Sequence, residues 1–355
     1  MAQTRIEIQN LRGISILAVY LFHLYPNYFK NGFLGVDVFF VISGFLITQQ
    51  LLDFKNNSLS EYLIEFYFRR VKRIIPAVLS TLIFTLAFTY FLLGIVTFVK
   101  NLESATWANV FLANWYFLDQ KLDYFASGNL ELFQHFWSLA IEEQFYLFWP
   151  IVLFFNKRRL ILPITIALLS LIYFLSASAP NNFFNLASRV WELLAGALIA
   201  LFAAHPNSSK VPISKNFFKP WLIWFLPILL IIPVELPANM ATIAVVLFTA
   251  AALILLSPAL KKSLIFWLGE ISFSVYLIHF PTIMIYDELN NSTNSIIRGA
   301  TITAVTLSLS LANCRFVENR FRYRTYQSSK LMLFSSLGIL LMVQISLLAM
   351  KGYYV

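Results

Sequence analysis

Charge is scarce in this chain, and so is cysteine. Asp, Glu, Lys and Arg make up 12% of the residues, about half the share of an ordinary soluble domain. The single cysteine, Cys314, excludes an internal disulfide and argues against a thiolate metal cluster. HxxxD, HExxH, P-loop and dinucleotide-fold patterns are missing where they would be needed, and no serine sits in a GxSxG elbow. Soluble hydrolase, kinase and redox chemistries therefore fall away. The first apolar run has no small-residue cleavage site, so it is expected to stay in the protein. No internal repeat marks the chain as a secondary transporter.

Apolar sequence fills the space that charge leaves. Hydrophobic residues are 59% of the chain, aromatics 17% with 36 Phe, and the mean hydropathy is +0.73. These values predict an all-α, polytopic integral membrane bundle of 10–11 transmembrane helices. The apolar runs place spans at 8–25, 34–52, 77–99, 137–155, 160–178, 187–204, 220–234, 240–256, 264–286, 296–314 and 331–349. With the N-terminus cytoplasmic, the inner segments hold nineteen Lys and Arg and the outer segments four, Lys30, Lys100, Lys121 and Lys351. The positive-inside rule selects that orientation, and loop asymmetry rather than nucleic acid accounts for the net charge of +9. Residues 1–325 read as the main transmembrane domain and 326–355 as an additional helix with a short outer tail. SLSEYLIEFYFRRVKRIIP is amphipathic and basic; it is expected to lie on the cytoplasmic surface and stop at Pro76. The segment from Lys100 to Phe136, rich in Trp, Tyr and Asn, reads as a long outer loop with a functional role.

Ionisable residues inside spans are the site candidates. In NLRGISILAVYLFHLYPNYF, only Ser15 and Tyr20 interrupt the apolar run between Arg12 and His23. Eleven steps of about 100° close about three turns, so the two share a helix face about 16 Å apart. A polar cavity would answer the cost of both; an Arg snorkelling at one end and a satisfied His at the other is the plain alternative. Asp37, in GVDVFFVISGFLIT, falls at the depth of His23. It is expected to orient the imidazole as a triad acid does, or else to satisfy free N–H groups at a helix start. In FWSLAIEEQFYLFWP, His135, Ser138, Glu142 and Tyr146 share a face, while Glu143 turns about 100° away. Glu142 is taken as the active carboxylate and Glu143 as structural; pairing of both with Arg189 or Arg298 is the alternative. FRRVKRIIP gathers Arg69, Arg70, Lys72 and Arg73 within five residues. Guanidinium groups grip phosphates bidentately, although on charge alone topology or anionic lipid is the better explanation of such a cluster. Arg12, at the inner end of its span, extends that anion site. In GEISFSVYLIHFP, Glu270 is expected to pair with an arginine and His279 to play a supporting or structural part.

Taken together, Arg-x10-His, GVDVFFVISGFLIT, FRRVKRIIP, FWSLAIEEQFY and GEISFSVYLIH resemble the acyltransferase-3 family of membrane O-acyltransferases, which includes O-antigen acetylases of lipopolysaccharide. The resemblance runs in order from about residue 6 to residue 325. It implies acetyl-CoA as the acyl donor on the cytoplasmic side and a glycan hydroxyl as acceptor on the outer side; no metal is expected. It also implies that Arg12 and His23 are the essential pair, that Arg69, Arg70 and Arg73 bind CoA, and that Glu142 is an important carboxylate.

The resemblance and the charge pattern together predict a multi-pass O-acetyltransferase of the bacterial inner membrane. Its acceptor is expected to be lipopolysaccharide O-antigen, as surface polysaccharide or lipid-linked glycan. His23 would act as general base with Asp37 or Glu142 holding its tautomer, and an acyl-histidine step is the covalent alternative. Many relatives carry a further SGNH-type hydrolase-like domain that this sequence lacks. The expectation is that the membrane domain works without it; supply by a separate periplasmic partner protein, or excision from a longer chain, are the alternatives. The competing class is a lipid-linked glycan flippase that makes no covalent change.

Overall fold

The computed structural model describes residues 6–54, 58–122, 124, 130–156, 159–204, 226, 229–230, 237–255, 262–290, 295–324 and 329–354. All regular structure among them is helical. Nine of the eleven expected spans coincide with helices, and the third, 77–99, instead covers the end of one helix, a π-type turn and the start of the next. The seventh, 220–234, lies outside the described residues but for Leu226, Leu229 and Leu230, as do the basic residues Arg5, Lys55, Lys157, Arg158, Lys210, Lys215, Lys219 and Lys261.

The helices are α1 Ile6–Leu24, α2 Gly35–Leu52, α3 Leu59–Phe88, α4 Gly94–Asn109, α5 Ala113–Asp119, α6 Phe136–Asn156, α7 Ile161–Ser176, α8 Asn181–Phe184, α9 Leu186–Ala203, α10 Ala238–Leu255, α11 Leu264–Leu289, α12 Ser295–Ala312, α13 Asn319–Arg322 and α14 Ser329–Tyr354. Among the described residues, seven helical stretches are long and apolar enough to cross a membrane: Gly32–Leu52, Leu59–Asn109, Phe136–Asn156, Asn181–Ala203, Leu264–Leu289, Ser295–Arg322 and Met332–Tyr354. Two more apolar helices are shorter, Ile161–Ser176 and Ala238–Ile254. The chain is therefore a polytopic helical membrane bundle. α1 is 19 residues long, about 28 Å at 1.5 Å per residue. Its polar side chains, Glu7, Asn10, Arg12, Ser15 and His23 among them, lower its hydropathy.

The chain divides into two compact units, Met1–Lys55 with Phe145–Ser272, and Asn56–Gln144 with Phe273–Val355. In the first, Leu11, Ile14, Val38, Val41, Phe45 and Trp191 form part of one apolar core. α2 and α9 approach closely through glycine: a Cβ at Gly44 would lie 1.8 Å from the Leu193 carbonyl oxygen, and one at Gly196 1.9 Å from that of Val41. Small residues let membrane helices meet backbone to backbone. Two hydroxyl contacts pin α6 to α2 as well, Ser43 with the Tyr146 hydroxyl and the Trp149 indole N–H to Thr48 Oγ1 at 2.8 Å.

In the second unit α3 corrects the sequence reading. It does not stop at Pro76 but runs from Leu59 to Phe88 without a break. A proline removes one backbone donor, yet Ile74, Ile75, Ala77, Val78 and Leu79 around it are all buried, and such packing tolerates proline within membrane helices. A wider, π-type turn at Thr89–Leu93 follows, and Gly94, at φ 83°, redirects the chain into α4. The expected outer loop is thus partly helical, with the end of α4 and all of α5 within it. Asn101 on α4 holds the next segment by accepting from the Leu132 N–H at 2.8 Å. α14 packs on α3 and α4, with Asn109 Nδ2 donating to Gln344 at 3.0 Å and Lys351 3.0 Å from Glu103.

Candidate active site

In the first unit, α1 carries both Arg12 and His23, each half-buried. The imidazole is oriented by its own helix: Nδ1 lies 2.9 Å from the Val19 carbonyl oxygen. A carbonyl only accepts, so Nδ1 carries the hydrogen and Nε2 is the basic nitrogen of the neutral ring. The backbone of the preceding turn therefore holds the ring in this tautomer on its Nδ1 side.

Asp37 has other partners. It lies in the first turn of α2, 1% exposed, where Arg189 donates to Oδ1 and the Thr242 hydroxyl lies 3.4 Å from Oδ2. Arg189 Nη1 is also 3.2 Å from Glu192. The rings of Phe40, Phe174 and Phe183 surround the guanidinium at 5.7–5.8 Å. A buried cation with two buried carboxylates inside an aromatic shell is an ion cluster that locks α2 to α9. Arg189, weighed from sequence as a partner of Glu142 or Glu143, belongs here.

In the second unit, α3 presents the basic cluster. Arg69 is exposed and ion-paired with Glu65, Lys72 lies over the Phe68 ring at 5.0 Å, and Arg70 and Arg73 are half-buried. Glu143 is the carboxylate on which Arg70 and Arg73 act; its Oε1 is buried without a hydrogen-bond partner. Glu142 instead lies within electrostatic reach of Tyr276. The two neighbours thus face different groups, as their offset of about 100° requires. Arg298 forms a bidentate pair with Asp287 at 2.6 Å. Glu270, expected to pair with an arginine, is exposed and has no ion pair among the described residues.

His135, Ser138 and His279 do come together, around a residue that sequence reasoning passed over. Tyr276 donates to the His135 carbonyl at 2.7 Å, which leaves Ser138 to donate to Tyr276 at 2.5 Å. His135 Nε2 donates to the Leu277 carbonyl at 3.0 Å and His279 Nδ1 to the Tyr276 carbonyl at 2.8 Å. The two imidazole centroids are 5.6 Å apart. The spacing of Tyr276 three residues before His279 was the available signal. Among the described residues, no group of three or more His, Cys, Asp or Glu is placed to hold a metal ion.

A family model described as an acyltransferase domain matches residues 5–313. The chain belongs to the acyltransferase-3 family. This acyltransferase-3 chain is similar to the O-acetyltransferase OatA of Staphylococcus aureus, 34% identical over 220 residues that cover 59% of this chain and 36% of that protein. It is also similar to the peptidoglycan O-acetyltransferase OatA of Listeria monocytogenes, 30% identical over 347 residues, covering 89% of this chain and 55% of that one. The chain spans about half the length, or less, of the curated relatives it matches. No solved structure matches it. The acceptor in the Listeria protein's name is peptidoglycan rather than the lipopolysaccharide O-antigen expected from sequence.

Proposed function

We propose that the chain is an O-acetyltransferase of the bacterial cytoplasmic membrane. It moves an acetyl group from cytoplasmic acetyl-CoA to a hydroxyl of a cell-wall glycan. Peptidoglycan replaces lipopolysaccharide O-antigen as the acceptor, on the strength of similarity to the Listeria protein. The observation that carries the chemistry is the His23 ring, whose Nδ1 is committed to Val19 so that Nε2 serves as the base.

The residues divide the work as follows. Arg69, Arg70 and Arg73 bind the phosphates of the donor, with Arg12 assigned to the same ligand. His23 Nε2 takes the proton as the sugar oxygen attacks the thioester carbonyl carbon. The tetrahedral adduct collapses with cleavage of the C–S bond, and the imidazolium returns its proton to the departing thiolate. The sugar gains an ester and CoA leaves as the thiol. Glu142, with His135, Ser138 and His279, supports the reaction, while Asp37 serves the fold through Arg189.

The test is mass spectrometry of peptidoglycan from cells with the chain, without it, and with His23→Ala. The reading expects a base-labile, acetyl-sized increment only with the unaltered chain. The same increment in all three samples, or on lipopolysaccharide instead, contradicts it.

A further inference from the structure

The basic cluster on α3 has a counterpart about 250 residues later in the sequence. Between α12 and α13 the chain makes a π-type turn, Asn313–Glu318. Turns of this kind admit one extra residue and recur at functional sites. This one starts a chain of buried hydrogen bonds. Ser80 on α3 donates to Asn313 Oδ1 at 2.7 Å, Asn313 Nδ2 donates to Ser274 Oγ at 3.3 Å, and Ser274 donates to Glu318 Oε2 at 3.1 Å. Ser274 is fully buried and Glu318 is 1% exposed. The other oxygen of Glu318 lies 3.7 Å from Nη1 of Arg322.

That chain fixes Arg322 where its charge is opposed. α13 packs against α3, and the cations acting on one another are Arg322 with Arg73, and Lys72 with both Arg69 and Arg322. Like charges gathered at a partly desolvated surface repel. Four polar residues thus hold one cation beside others, an arrangement suited to a multiply charged anion. Guanidinium forks suit phosphate oxygens.

We propose that Arg322 binds the phosphates of the acyl donor together with Arg73 and Lys72, and that Glu318 is the residue that positions it. The inference rests on the donor being acetyl-CoA. The same phosphate chemistry is found on anionic lipid headgroups, and the test separates the two.

The full chain is purified in neutral detergent and titrated with CoA; acetyl transfer is then measured with acetyl-CoA and with acetyl-pantetheine, which has no phosphate. For Arg322→Gln the expected result is CoA affinity weakened about tenfold, the size of one lost charge-assisted contact. KM for acetyl-CoA rises in step, kcat and KM for the glycan are unchanged, and acetyl-pantetheine is used as well as by the unaltered chain. Arg322→Lys recovers part of the loss, and Glu318→Gln reproduces part of it. Unchanged CoA affinity in Arg322→Gln overturns the inference alone. Equal damage to acetyl-pantetheine overturns it in favour of a structural role. An effect that appears only in anionic lipid assigns the arginine to headgroups. An unaltered chain that binds no CoA overturns the donor reading and this inference with it.

Discussion

Arg189 holds two carboxylates, and removing it leaves Asp37 and Glu192 buried against each other. Breaking a buried ion cluster from one side costs about 3–5 kcal/mol, so Arg189→Gln is expected to lower the melting temperature in detergent sharply. An unchanged melting curve contradicts the structural role given to Asp37. Glu131, in the segment before α6, titrates in the other sense. Burial pushes its carboxyl up, with Ser104 and Lys100 pulling it down and Glu103 pushing it further up. The folded state keeps this proton longer than the unfolded state, so stability falls as pH rises from the ordinary value of 4.5 through the raised one. Glu131→Gln removes that loss: the melting temperature of the unaltered chain should fall relative to the variant as pH rises above the ordinary carboxylate value of 4.5. Parallel curves contradict it. At this scale the sequence disclosed which residues were costly, because charge inside an apolar run is visible as such. It did not disclose their partners. Asp37 and Arg189 are 152 positions apart, and no local period connects them.

Helices were the most legible level. Apolar runs of span length located nine described helices, since the bilayer fixes both length and composition, while the run 77–99 crossed the turn at Gly94. Two readings failed for physical reasons. Pro76 was read as a stop from its missing donor, but buried neighbours on both sides carry the helix through it. The Lys100–Phe136 stretch was read as loop from its polar residues, yet Asn101 spends its side chain holding Leu132 and α4 stays helical around it. The close approach of α2 and α9 makes its own prediction. Gly44→Ala places a methyl group against the Leu193 backbone, and overpacking of this kind costs about 1–3 kcal/mol or more. A drop in melting temperature and in the yield of monodisperse protein is expected; full tolerance would mean that the helices sit further apart than described.

For the molecule as a whole, the count of Lys and Arg in the loops predicts which face each group serves. The basic cluster of α3 falls on the face expected to be cytoplasmic, where acetyl-CoA is made. His23 falls at the opposite end of α1 from Arg12, about 16 Å along the helix axis. The acceptor was the least legible feature, because no residue pattern in the sequence names a sugar, and similarity to the Listeria protein moved the proposed acceptor from lipopolysaccharide to peptidoglycan. The most direct test of the account is the rate at which membranes containing the chain move label from acetyl-CoA into base-labile ester on peptidoglycan, measured for the unaltered chain and for His23→Ala. Loss of the general base should lower that rate by about a hundredfold or more at unchanged protein level. A near-normal rate from His23→Ala, or no transfer by the unaltered chain, contradicts it.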